Sequence, residues 1–289
     1  MEDIVRPLAQ SGRRALLVGE SWFTQTTHQK GFDSFVTSSY EEGCADFMTA
    51  VRGRGWSIDH IPCHLVEARM PRSLDSLAQY SAVVLSDVGS NTFLLGRRTF
   101  LHGEPSPDWL GLLKDYVLAG GGLLMVGGYM SFAGIEGKAG YGRTCLADVL
   151  PVTMLATDDR VECPTGVRPE ICQPTHPIVS GLPQYWPKLL GFNQLLPRSG
   201  SEVLATCNNR PLLIVGTPGN GRAAAYASDL GPHWAPRDFV EWTGYGALWS
   251  QLLGWLAGKQ DPGPAGHSND AIGMERSEVV WPLDTDSKA

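Results

Sequence analysis

Short uninterrupted apolar runs alternate with amphipathic stretches along this chain, and most of the runs break off into small or polar residues. Residues 15–19 (ALLVG), 56–62, 82–85 (AVVL) and 123–126 (LLMV) read as strands. Three of the four are continuously apolar, the pattern of parallel strands buried on both faces. Residues 41–54 predict a helix with Cys44, Phe47, Met48 and Val51 on one side. Residues 108–119 predict another, capped by Asp108, with Trp109, Leu112, Leu113 and Tyr116 inward. Shorter helical connections are expected over 71–80 and 142–150. This alternation is the signature of an open, mostly parallel sheet with helices on its faces, an α/β fold. Residues 20–40, rich in Thr, Ser, Gly and aromatics, are too long for an ordinary strand-to-helix connection and read as a functional loop or lid.

From residue 151 to about 200 the rhythm changes to short runs broken by Pro and Gly, which predicts an antiparallel or irregular excursion beside the main sheet. Three further strands are expected over 202–207, 211–216 and 222–228. The last two are joined by Thr217-Pro218-Gly219-Asn220-Gly221, a strong hairpin turn. A final helix over 238–257 carries a broad apolar face of Trp242, Tyr245, Leu248, Trp249, Leu252 and Trp255. Residues 1–12 lack periodicity and read as an N-terminal arm, 13–258 as the folded domain, and 259–289 as a polar C-terminal tail or docking arm.

Composition adds exclusions. The 289 residues are 43% hydrophobic, ample for a buried core. A net charge of -7 with scattered Lys and Arg offers no basic field for a nucleic acid. No stretch approaches the ~20 apolar residues of a membrane span, and the N-terminus has no apolar core of signal-peptide length, so the expected address is cytoplasmic, with no membrane partner. Six cysteines without a CxxC pair read as reduced thiols. A charged fraction of only 18% leaves room for a homo-oligomer interface.

The chain is organised around GGGLLMVGGYMSFAG, residues 120–134, where an apolar strand breaks into glycines. A strand followed by so sharp a turn presents one residue at the strand's carboxyl end, with backbone N–H groups beside it. Here that residue is Tyr129, or Gly128 if the turn falls one position earlier. Ligands of open parallel sheets bind outside the strands' carboxyl ends. Four strands end there in polar or special residues: Glu20 with Ser21 and Trp22, Asp87 with Ser90 and Asn91, Gly127 and Gly128 with Tyr129 and Ser131, and Asp229 with His233 and Trp234. Taken singly, each also has a structural reading as a helix cap, a solvated carboxylate or a packed ring. Taken together they predict one pocket for a small polar metabolite. Within it His233, Asp229, Tyr129 and Glu20 are the candidate catalytic residues and Ser21, Trp22, Asp87, Ser90, Asn91, Gly127, Gly128, Ser131 and Trp234 the candidate ligand-binding ones. No cofactor and no metal are expected: His60, Cys63 and His64 have the right chemistry but no usual zinc spacing, and Gly134–Gly140 lacks the ending of a phosphate loop.

The runs AVVLSDVGSN, GGGLLMVGGYMSFAG, THPIVSGLP and AAAYASDLGPHW, in that order and spacing, resemble the class I glutamine amidotransferase-like proteins. The nearest likeness is to a branch of bacterial cytoplasmic proteins without the usual triad, related more distantly to ThuA-like proteins and to the middle domain of some β-galactosidases. The resemblance spans residues 15–258. It implies a flavodoxin-like three-layer α/β/α sandwich, often in a homo-oligomer. Members of the class hydrolyse glutamine with an elbow Cys, a His after a late strand and a Glu two residues beyond it. Here Tyr129 stands for the Cys, His233 matches the His approximately, and Ala235 takes the place of the Glu. Without a thiolate there is no thioester route. The expectation is therefore a cytoplasmic protein of this fold with a metabolite pocket at the elbow, serving as a hydrolase with His233 or Glu20 as base, Asp229 orienting it, Tyr129 donating and the 127–129 backbone facing an oxyanion. The alternative is a non-catalytic ligand-binding or assembly module. A third reading is a glutaminase with Cys44 or Cys145 relocated to the site.

Overall fold

The structure, a computed structural model, describes residues 12–258; the arm over 1–11 and the tail over 259–289 lie outside the described residues. Fourteen strands are described. In chain order they are β1 (Arg14–Gly19), β2 (Ser21–Lys30), β3 (Asp33–Glu42), β4 (Ser57–Ile61), β5 (Ala82–Ser86), β6 (Gly122–Val126), β7 (Val152–Met154), β8 (Arg160–Val167), β9 (Pro169–Ile171), β10 (Leu189–Asn193), β11 (Leu195–Pro197), β12 (Glu202–Cys207), β13 (Arg210–Gly216) and β14 (Arg222–Tyr226). The three long helices are α1 (Ala45–Arg52), α2 (Trp109–Leu118) and α3 (Tyr245–Leu256). Eight strands form one sheet in the order β4-β1-β5-β6-β14-β13-β12-β9. The pairs from β4 to β14 are parallel and those from β14 to β9 antiparallel. This is the mostly parallel, flavodoxin-like α/β fold expected; the excursion expected over 151–200 forms two small antiparallel pairs, β8 with β10 and β7 with β11, and only β9 of that stretch joins the main sheet.

The continuous apolar runs are the central strands because both faces are covered: every residue of β5 and β6 is buried. Asp108 caps α2, its side chain accepting from the Gly111 N–H at 2.9 Å. On another part of the core α1 packs against α3, with the rings of Phe47 and Trp249 edge to face at 5.4 Å. Register then decides where the chemistry goes. Gly19 pairs with Ser86, Ser86 with Val126, and Val126 with Tyr226, so four parallel strands stop at one level. From β1 the chain moves to β4 on one side and then crosses back to β5 on the other, which makes the β1/β5 boundary the topological switch point. Glu20 and Asp87 are the first residues beyond it.

Four expectations about elements need correction. Residues 20–40 are not a loop or lid: β2 and β3 pair in unbroken register from Ser21 with Glu42 to Lys30 with Asp33, an antiparallel ribbon outside the main sheet. Its turn opens on Gly31, φ +64°, as two-residue hairpin turns require. Thr-, Ser- and aromatic-rich sequence favours this extended form. Glu41 and Glu42 accordingly belong to β3, and α1 starts only at Ala45. The final helix breaks into a turn over Arg237–Val240 and α3, with residues 241–244 between them outside either helix. The helix expected over 142–150 is two 3-10 turns, Tyr141–Arg143 and Cys145–Asp148.

Candidate functional site

At the carboxyl edge of the sheet a cleft of about 300 Å³ is lined by Glu20, Trp22, Gly43, Asp87, Tyr129, Asp229, Gly231, Pro232 and His233. The elbow proper falls at Gly128, φ +136°, a conformation that only glycine takes readily. A Cβ there would stand 2.7 Å from Asp87 Oδ1 and 2.9 Å from Asp229 Oδ1. Carboxylates therefore occupy the space into which a nucleophilic side chain would project. The turn is pinned by Asn193, whose Oδ1 accepts from Gly128 N–H at 3.0 Å and whose Nδ2 donates to Gly128 O at 3.2 Å and Asp159 Oδ1 at 2.8 Å. Asp159, buried, also accepts from the N–H groups of Ala133 and Gly134.

Each carboxylate is held differently. Glu20, 6% exposed and in a left-handed conformation (φ +49°), accepts a short bond from Ser86 Oγ. Burial, with Asp87 and Asp229 adding repulsion, pushes its carboxyl up to about 8, so near neutrality it carries a proton. Asp87, φ +43°, accepts from Met130 N–H at 2.7 Å; burial outweighs that bond and raises it to about 6. Asp229 is buried, and its Oδ2 lies 2.8 Å from His233 Nδ1 and accepts from Trp234 N–H at 2.9 Å. That bond to Asp229 raises His233 above the ordinary imidazole value, against the opposing effect of burial. With Nδ1 donating to Asp229, the half-exposed ring keeps Nε2 free as an acceptor. Trp234 stacks on the imidazole at 5.3 Å, and the Tyr129 ring meets it edge-on at 4.6 Å.

Of the residues singled out from sequence, Glu20, Trp22, Asp87, Tyr129, Asp229 and His233 come together on the cleft wall, with Gly128 behind them and Trp234 beneath the imidazole. Others have different partners. Ser21 Oγ accepts from Cys63 N–H, and Ser131 Oγ accepts from Asp87 N–H, so both support the walls from behind. Ser90 is buried and Asn91 exposed on a short helical turn, and neither lines the cleft. Tyr129 donates its hydroxyl to Glu162 at 3.0 Å, and Arg160 lies over its ring. The N–H of Gly127 is bound to Tyr226 O and that of Gly128 to Asn193, which leaves Tyr129 as the one 127–129 donor that an oxyanion could use. None of the six cysteines lines the cleft; burial raises the Cys44 thiol to about 12 and raises that of Cys145 as well. Asn193, Asp159, Glu162 and Gly43 escaped sequence reasoning. Three of them sit in the irregular excursion, where no local pattern signals contact with an elbow 65 residues away.

This fold with a pocket at a strand–turn elbow defines the class I amidotransferase architecture. The chain belongs to the family described as "Putative glutamine amidotransferase", which matches residues 14–258. Two solved cytoplasmic proteins of Salmonella typhimurium are each 46% identical to it. One covers 84% of this chain and 98% of its own, with a TM-score of 0.82; the other, from strain LT2, covers 84% and 99%, with a TM-score of 0.81. A ThuA-like protein from Parabacteroides merdae, 14% identical over 86% of this chain and 92% of its own, shares the fold at a TM-score of 0.50. No curated protein matches significantly. No helix among the described residues is long and apolar enough to cross a membrane.

Proposed function

We propose that this chain is a cytoplasmic hydrolase of a small polar metabolite that works from the elbow cleft with water, rather than a thiolate, as nucleophile. The carrying observation is the Asp229–His233 pair, 2.8 Å apart, opening on a cleft that also holds a buried, proton-bearing Glu20. In this reading Asp229 holds the imidazole with Nδ1 protonated, and Nε2 takes a proton from water as its oxygen attacks the substrate. Glu20 then gives its proton to the leaving group, so the proton count balances over the step. The lining carries three carboxyl groups and neither Lys nor Arg, which favours an uncharged or cationic substrate over an anionic one.

Hydrolysis of a panel of neutral and amine-bearing amides, esters and glycosides tests this. Turnover that survives thiol alkylation and falls by about 100-fold or more in His233→Gln is expected. Turnover abolished by alkylation would instead support a relocated cysteine. Binding without turnover would support the second reading, a non-catalytic module, which is favoured by the elbow N–H groups of Gly127 and Gly128 being bonded within the protein.

We also propose that the β2–β3 ribbon meets a second copy of this chain. Phe23, Phe32, Phe35 and Val36 are all about half exposed or more. Each ten-residue strand reaches about 33 Å. A two-stranded ribbon is marginal alone in water, and two such arms exchanged across a twofold axis could bury on the order of 1,300 Å², within the range of a stable interface.

A further inference from the structure

We propose that Glu42, Cys44 and His60 form a site for a zinc-type divalent cation at the foot of the β2–β3 ribbon. Glu42 ends β3, Cys44 stands at the mouth of α1 and His60 lies in β4, yet one ligand atom from each falls within 4.8 Å of the others. His60 Nε2 lies 2.8 Å from Gly19 O and donates to it, which fixes the tautomer and leaves the Nδ1 lone pair available. Nδ1 is 3.6 Å from Cys44 Sγ and 3.6 Å from Glu42 Oε2. Bonds of about 2.3 Å to sulfur and about 2.0 Å to nitrogen or oxygen in a tetrahedron separate neighbouring ligand atoms by about 3.3–3.6 Å; the two separations from Nδ1 are close to that, and sulfur and carboxylate lie within 4.8 Å of each other. The sulfur also lies 3.8 Å from Nε2, hence against the ring face, so loading requires the thiol to swing toward the Nδ1 edge.

The surroundings suit an ion. Tyr40 donates its hydroxyl to Glu42 Oε1 at 2.6 Å, holding that carboxylate with Oε2 toward His60. Cys44 is buried, the His60 side chain is 9% exposed and that of Glu42 44% exposed, so an ion enters from the Glu42 side. One thiolate, one imidazole and one carboxylate select a borderline-soft ion over magnesium or calcium, and three protein ligands leave a fourth position for water. Loading releases the Cys44 thiol proton to solvent. Gly43, between two of the ligands, forms part of the cleft wall, and a Cβ on it would approach Glu20 Oε2 to 2.7 Å. The ion would thus fix the base of the ribbon against the sheet, and the site stands whether or not the cleft is catalytic.

Full-length protein stripped with a chelator and titrated with Co2+, then with Zn2+, reads this directly. One Co2+ per chain with a thiolate-to-cobalt charge-transfer band is expected, and Zn2+ should displace it. Cys44→Ser should lose the band, Cys63→Ser should keep it, and Glu42→Gln, changed at a half-exposed carboxylate, should bind at least about tenfold more weakly with an unaltered melting curve. Zn2+ should also raise the melting temperature of the unmutated protein, a readout that does not depend on Cys44→Ser folding. Sub-stoichiometric binding, a band that survives Cys44→Ser, undiminished affinity in Glu42→Gln, or a melting temperature unaffected by Zn2+ would each overturn the site.

Discussion

At Gly128 backbone conformation and packing both require glycine. Its φ of +136° strains any side chain, and a Cβ would meet Asp87 and Asp229. Gly128→Ala should therefore cost at least about 1–3 kcal/mol, read as a lowered denaturation midpoint. A neutral result would mean that the elbow relaxes without those carboxylates. Asn193→Ala removes the partner of the same turn and leaves buried polar groups unpaired, with a similar loss of about 1–3 kcal/mol expected in the same measurement. Glu20 makes a prediction with a sign. Its carboxyl titrates at about 8 in the folded protein against 4.5 in the ordinary state. Below 4.5 both states hold the proton, and Glu20 does not oppose folding. As pH rises toward 8 the unfolded chain ionises and the folded one does not, so stability is progressively lost. Glu20→Gln removes this dependence. Its melting temperature relative to the unmutated protein should climb between pH 4.5 and about 8, and a difference independent of pH would show that Glu20 ionises freely.

Among the elements, the four central strands were legible because continuous apolar runs have few other homes in a chain of this length, and their polar ends located the cleft. The ribbon was not legible, for a physical reason. Almost every side chain from Trp22 to Glu42 is exposed, so neither face imposes the period-two alternation by which a half-buried strand is recognised. The same holds for Asn193 and Glu162, whose partners Gly128 and Trp234 are brought near only by tertiary folding. The positions of Glu20, Asp87, Asp229 and His233 were readable from strand-end polarity, whereas the placement of the turn at Gly128 needed the backbone. The ribbon's role can be tested at its own scale. Replacing residues 26–37 by a two-residue turn removes Phe32, Phe35 and Val36 and keeps the base, where Phe23 and Tyr40 contact His64. The shortened protein should stay folded and sediment as a monomer. An assembly of unchanged mass would place the interface elsewhere.

At the scale of the molecule, one sheet edge gathers the proposed base and the proposed acid, whose protonation is set by opposite means, His233 by a hydrogen bond to Asp229 and Glu20 by burial. Hydrolysis should accordingly be bell-shaped in pH, rising as the imidazolium loses its proton above the ordinary 6.5 and falling as Glu20 ionises near 8. The proposed hydrolysis requires the cleft to be a ligand site. The most direct test is a thermal-shift screen of the unmutated protein and His233→Ala against amides, amines, sugars and carboxylic acids. Neutral or cationic compounds should stabilise the unmutated protein and leave His233→Ala unmoved, by about 2.7 kcal/mol at a hundredfold excess over Kd. Stabilisation by anionic compounds alone, or equal stabilisation of both proteins, would contradict it.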